Sequence, residues 1–195
     1  MRKVYGVGIN DADYLITERR KIDGKQKVVW ICPYYRTWKD MLRRCYNEPY
    51  HKRQPTYIGC TVAEEWKIFS NFRSWMETQD WQGNQLDKDL LVEGNKEYGP
   101  DACTFISKAV NMFLTDSGAA RGDLPIGVCR FKGKYMARCS NPFSKKEEYL
   151  GLFPCPQEAH LAWKARKAEH AKRLAEEQTD ERVKNALLER YPMPD

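Results

Sequence analysis

Apolar residues return along the chain from Tyr34 at the three-and-four spacing of a helix: Tyr34, Trp38, Met41, Leu42 and Cys45. Arg36, Lys39, Arg43 and Arg44 fall on the other faces. That pattern predicts an amphipathic helix over "YYRTWKDMLRRCYN". "AEEWKIFSNFRSWMETQ" predicts a second one. Its stripe is Trp66, Phe69, Phe72, Arg73 and Met76, with Trp75 beside it. The plain reading of so many aromatics at helical spacing is a packed core. Ahead of these helices, "KVYGVGIND" and "KVVWICPYY" read as strands and "IDGK" as the turn between them. "EPYHKRQPTYIGC", with Pro49 and Pro55, reads as a loop.

Further on, Gly94, Gly99 and Pro100 prevent one continuous helix across "LDKDLLVEGNKEYGPDACTFISKAVN". "KAVNMFL" starts a short helix, and "DSGAARGDLPIG" reads as a linker or domain edge. "IGVCRF", "KYMARCS" and "EEYLGLF" then read as three strands, separated by "KG" and "NPFSKK". A long helix is expected from Pro156 to Leu174, with Ala159, Ala162, Trp163 and Arg166 at repeated intervals. That stripe fits packing across a small sheet. "RLAEEQTDERVKNALLERY" extends this helix or starts another. The expected divisions are a strand-rich extension over 1–30, a middle module over 31–118, and a sheet-plus-helix domain with a helical extension over 119–195.

Composition narrows the partners. The chain has 195 residues, enough for one sizeable core or two small ones, and its apolar content argues against wholesale disorder. A formal charge of +6 favours a polyanionic partner. Seven cysteines occur with no CxxC pair, which argues against a zinc ribbon or finger. Their odd number and the lack of a signal peptide favour a reducing, intracellular setting. No run of about 18 apolar residues is present, so no membrane span is expected. The charge is uneven: Ile31 to Cys60 holds six basic and two acidic residues, whereas Asp80 to Asp101 holds six acids and two basics. Arg36, Lys39, Arg43 and Arg44 are therefore candidate phosphate contacts. From Gly127 to Cys139 there are four basic residues and no acid. Arg130, Lys132, Lys134 and Arg138 share even parity, which would gather them on one sheet face if the Lys132-Gly133 turn preserves alternation.

Within that last region, Gly127-Val128, Arg130, Gly133-Lys134-Tyr135, Ala137, Tyr149-Leu150-Gly151, Phe153 and the Ala-containing stretch from Glu158 to Ala165 resemble the plant ethylene-response-factor type of DNA-binding domain. Versions of that domain also accompany phage and bacterial homing-type endonucleases. The resemblance covers about 45 residues. It implies a three-stranded sheet that lies in the DNA major groove, with Arg130, Lys132, Lys134, Tyr135 and Arg138 meeting bases and phosphates.

The region from Trp38 to Asn111 resembles the HNH-type homing endonucleases, through "WKDMLRRCYN", "EEWKIFSNFRSWM" and the order Asp87-Lys88, "EGNKEYGPDAC", Asn111. The resemblance implies a small ββα-metal module. It makes Asp87 and Asn111 the metal-ligand positions, with Mg²⁺ as the candidate ion, and places Lys88 where the histidine general base belongs. A base must be unprotonated to activate water, and an ordinary lysine is protonated at neutral pH.

The fold class expected is thus α+β: an HNH-like ββα module followed by a three-stranded antiparallel sheet packed on a helix. The expected function is that of a phage-type double-stranded DNA-binding protein whose nuclease-like module is weak or inactive, placed in the host-cell cytoplasm at the nucleoid. Two alternatives stay open. One is a Mg²⁺-dependent nicking endonuclease. The other is a phage protein that binds and inhibits a host defence or regulatory protein. The region from Ala162 to Leu188 is a candidate homodimer seam, although its apolar pattern is not a clean heptad.

Overall fold

The computed structural model describes residues 3–115 and 122–194. Part of the expected linker, residues 116–121, lies outside the described residues. The chain is mixed α and β, with a three-stranded antiparallel sheet, and divides into two compact units, 1–105 and 106–195. This division falls ahead of "KAVNMFL", not near residue 118.

The first unit opens with a segment that is not a strand. Tyr5 and Gly6 take positive φ, and Val4 and Gly8 bridge across the resulting turn. Gly8 then rests on the helix behind it. A Cβ there would lie 2.4 Å from Leu42 Cδ1, so no larger residue fits without movement. The first strands are instead β1 (Thr17–Ile22) and β2 (Lys25–Ile31), an antiparallel hairpin turning at Asp23-Gly24.

α1 (Pro33–Tyr46) follows the expected helix closely, with Trp38, Met41, Leu42 and Cys45 buried. α2 (Glu48–Arg53) occupies part of the expected loop, capped by the Asn47 side chain, which accepts from the Tyr50 N–H. A 3₁₀ turn (Pro55–Tyr57) and β3 (Thr61–Val62) come next. The second expected helix is broken into a 3₁₀ turn (Glu64–Lys67) and α3 (Phe69–Glu77). Its stripe nevertheless faces inward: Trp66, Phe69, Phe72 and Met76 join Trp38, Met41 and Leu42 in one core. The Trp38 indole N–H donates to the Trp66 carbonyl at 2.7 Å, so burial leaves no polar atom of that ring unmet. Each such side chain contributes roughly 1.5–3 kcal/mol through burial.

Three short strands complete this region. β4 (Gln85–Asp87) pairs with β6 (Thr104–Ile106), and β5 (Glu97–Tyr98) runs parallel to β3. β6 leads after one residue into α4 (Lys108–Leu114), whose Ser107 cap accepts from the Val110 N–H. In chain order β4, β5 and β6 precede α4.

In the second unit, β7 (Val128–Phe131), β8 (Lys134–Ser140) and β9 (Glu147–Phe153) form the antiparallel sheet in the order β7-β8-β9. α5 (Pro156–Glu176) covers one face, where Val128, Ala137 and Ala159 form the centre of a small core. Small residues let the helix approach the sheet closely. α6 (Glu181–Arg190) is a separate helix that packs on α5 through the buried Val183 and Leu187.

All seven cysteines are free, and five are buried. Burial pushes the Cys45 and Cys103 thiols up to about 12, so both act as small apolar core residues, not as thiolates.

Candidate nucleic-acid interface

The sheet register decides which residues share a face. Phe131 pairs with Lys134, Cys129 with Met136, Arg130 with Tyr135 and Val128 with Ala137. The two-residue turn at Lys132-Gly133 makes odd positions of β7 partners of even positions of β8. The expected single basic face of Arg130, Lys132, Lys134 and Arg138 is thus corrected. Arg130 shares the helix-covered side with Tyr135 and Val128, and its guanidinium sits 5.6 Å from the Tyr135 ring centroid. Lys132 occupies the turn itself, with φ at +47°. Lys134 and Arg138 lie on the open side.

That open side carries more than charge. Met136 pairs with Leu152 and Arg138 with Tyr149, across a bulge between Ala137 and Arg138. Phe131 is 42% exposed and Tyr149 62% exposed. Two cations therefore stand among exposed Phe131, Tyr149 and Leu152. Arg138 donates to Glu147 at 2.6 Å and to Cys129 Sγ at 3.5 Å. The Arg138–Glu147 pair is about half exposed on both sides, and such pairs contribute only about 0–1 kcal/mol.

α1 separates its four arginines and lysines. Arg36 and Lys39 are exposed. Arg43 pairs with Asp40 at 3.1 Å and lies 5.0 Å from the Tyr50 ring. Arg44 turns inward. Its Nη1 approaches the Tyr98 hydroxyl at 3.5 Å, and its guanidinium lies 5.6 Å from the Tyr57 ring. Burial opposes the Arg44 charge, but the Tyr98 and Tyr57 hydroxyls outweigh it and hold the proton more tightly than usual. The Nε atoms of Arg43 and Arg44 are buried with no hydrogen-bond acceptor among the described residues. Arg44 is thus a structural arginine more than a surface phosphate contact. The sequence signal was its position three residues after Met41, beside the buried stripe. His51 of α2 hydrogen-bonds the Arg44 carbonyl at 2.8 Å.

Lys88 occupies the expected base position and is only 5% exposed. Its ammonium donates to Asp89 Oδ1 at 2.5 Å and to the Asn95 carbonyl at 2.7 Å. Asn95 returns the contact: its Nδ2 donates to the Lys88 carbonyl at 2.9 Å and to the Glu97 carbonyl at 2.6 Å. These bonds close the loop between β4 and β5. Both donated bonds tie the Lys88 side chain to its own loop.

Asp87 is equally committed to the backbone. Its Oδ1 accepts from the Asp89 N–H at 2.9 Å and the Leu90 N–H at 2.7 Å, an Asx turn that reverses the chain after β4. Burial pushes the Asp87 carboxyl above its ordinary range, against the lowering effect of those two N–H bonds. Asn111 lies on α4, in the second compact unit, whereas Asp87 and Lys88 lie in the first.

Mg²⁺ takes oxygen ligands and favours ionised carboxylates. The expected donor set fits it poorly: burial disfavours ionisation of Asp87, one of its oxygens already holds two N–H groups, and the Lys88 ammonium adjoins it in the chain. Among the described residues, no group of three or more His, Cys, Asp or Glu side chains is placed to hold a metal.

The Asp87 geometry gives a sharp expectation. A carboxyl raised above its unfolded value opposes folding as pH climbs through its titration and beyond. Asp87→Asn keeps an oxygen for the two N–H groups and removes the buried charge. It is expected to leave the melting temperature at pH 7 unchanged or higher. Asp87→Ala deletes the acceptor and is expected to destabilise by about 1 kcal/mol. Thermal melts at pH 7 check both, and a clear loss in Asp87→Asn would contradict this role.

No family model, curated protein or solved structure matches the chain. The two likenesses therefore rest on the residues quoted for them. No helix among the described residues is long and apolar enough to cross a membrane.

Proposed function

We propose that the chain is a phage-type double-stranded DNA-binding protein whose middle segment is a nuclease-like scaffold that cleaves DNA slowly or not at all. The observation that carries the reading is the open face of the three-stranded sheet. Lys134 and Arg138 stand there among Phe131, Tyr149 and Leu152, with α5 on the opposite side. A β-sheet surface with cations and aromatics can meet phosphates and base edges in the major groove, which is about 12 Å wide. The net charge of +6 supports the same partner. Weak hydrolysis follows from Lys88 standing where a histidine base would be, its side chain already engaged by Asp89 and the Asn95 carbonyl.

Incubation with supercoiled plasmid tests both halves. The expected result is gel retardation in EDTA and no nicked product in Mg²⁺ or Mn²⁺ beyond background. Rapid nicking would overturn the scaffold half. Absence of retardation at low salt would overturn the DNA-binding half.

A further inference from the structure

The β1–β2 hairpin has no part in the sheet reader or in the Lys88 loop, yet among the described residues it stands almost wholly exposed. Every residue from 19 to 30 is exposed, on both faces of the ribbon. A two-stranded hairpin with neither face covered is marginal in water. This one also leaves Ile22, Val28, Val29 and Trp30 open, Trp30 at 43%. Such a surface calls for an occupant.

Charge selects the occupant. Residues 17–31 hold five basic residues, Arg19, Arg20, Lys21, Lys25 and Lys27, against Glu18 and Asp23. That excess is half of the chain's formal +6. The two acids are already used: Glu18 pairs with Arg20 at 2.7 Å and Asp23 with Lys27 at 3.2 Å. Arg19, Lys21 and Lys25 have no acidic partner among the described residues. The register spreads the cations over both faces, with Arg19 beside Val28 and Lys21 beside Gln26 on one, and Arg20 beside Lys27 and Ile22 beside Lys25 on the other. A second copy of the hairpin would bring the same positive excess and be repelled.

We propose that this hairpin is a second duplex-DNA contact, an arm that enters a groove and neutralises phosphates through Arg19, Lys21 and Lys25. The inference rests on the DNA-binding reading above but on different residues. Strands of six and seven residues are roughly 20 Å long. A two-stranded ribbon fits the major groove. The Asp23-Gly24 turn, with φ of +52° and +75°, keeps the tip narrow, and the bulge between Glu18 and Arg19 adds local twist to the ribbon.

The test uses the full chain and a 30-base-pair duplex of mixed sequence. Affinity is measured against salt for the wild type and for the triple variant Arg19→Thr, Lys21→Thr, Lys25→Thr. Threonine suits a strand, and the replaced side chains are exposed, so the melting temperature should hold. If three phosphate contacts are lost, the slope of log K against log salt becomes shallower by about 2.7, and affinity near 0.1 M salt drops about tenfold or more. An unchanged slope and affinity in a folded variant, with the wild type binding, overturns the arm while leaving the sheet reader standing. A wild type that does not bind at low salt overturns both. A variant whose sedimentation shows a dimer lost, with DNA affinity intact, assigns the hairpin to self-association and also overturns the proposal.

Discussion

Replacing Trp163 by alanine is expected to remove about 3–5 kcal/mol of stability from the C-terminal unit. Trp163 is 9% exposed and fills the gap between α5 and the start of β7. The contact is close: a Cβ on Gly127 would lie 2.0 Å from Trp163 Cδ1, and Gly127 also takes a φ of +80°. His160 stacks on the indole with centroids 5.4 Å apart, and its Nδ1 hydrogen-bonds the Ile126 carbonyl at 2.9 Å. Losing the indole therefore opens a cavity and also frees the ring that anchors the approach to β7. Domains of this size are stable by only about 5–15 kcal/mol, so the loss is a large share. Urea unfolding followed by far-ultraviolet circular dichroism reads it. The other five tryptophans, at positions 30, 38, 66, 75 and 81, all lie in the N-terminal unit and report on that unit by fluorescence in the variant. An unchanged dichroism midpoint would refute the packing role. Gly127→Ala should fail comparably, because the added methyl meets both a forbidden φ and the ring.

The second large effect concerns DNA. Lys134→Ala together with Arg138→Ala is expected to weaken duplex binding by about tenfold or more at low salt and to reduce the salt slope by about 1.8, the share of two phosphate contacts. Both side chains are on the open sheet face, so the fold should survive. Arg130→Ala, on the helix-covered side beside Tyr135, should cost less affinity. If the double variant keeps its slope but no longer prefers one sequence, these residues read bases instead of phosphates. If affinity and slope both stay at the wild-type values, the open face is not the reader.

Much of the architecture could be read from spacing. α1 and the inward stripe of α3 followed from residues three and four apart, and α5 followed from its small residues and Trp163. These elements form because one face must be buried, and the periodicity records that demand. The misreadings have equally local causes. "KVYGVGIND" has strand-like apolar content, but Tyr5-Gly6 turns back and Gly8 is needed for close approach to Leu42, so the segment wraps over α1. β1 was missed because "TERRKI" has almost no apolar residue; a ribbon exposed on both faces has no side to make hydrophobic. The basic face was misassigned because parity counting does not survive a two-residue turn, which exchanges odd for even. Arg44 was read as a surface cation because charge outweighed position, although it lies beside the stripe that buries α1. The Lys88 loop was legible in identity but not in role. Asn95, seven residues on, is the partner that makes the lysine structural, and nothing in the spacing announced a side chain-to-carbonyl contact across that loop.

The most direct measurement of the central claim is the anisotropy of a labelled duplex titrated with the full-length protein in EDTA, repeated from about 0.05 to 0.3 M salt. Saturable binding is expected at the low end, with a log K that falls linearly with log salt and a slope of several units, as phosphate neutralisation requires. No binding at 0.05 M salt, or an affinity indifferent to salt, would contradict it.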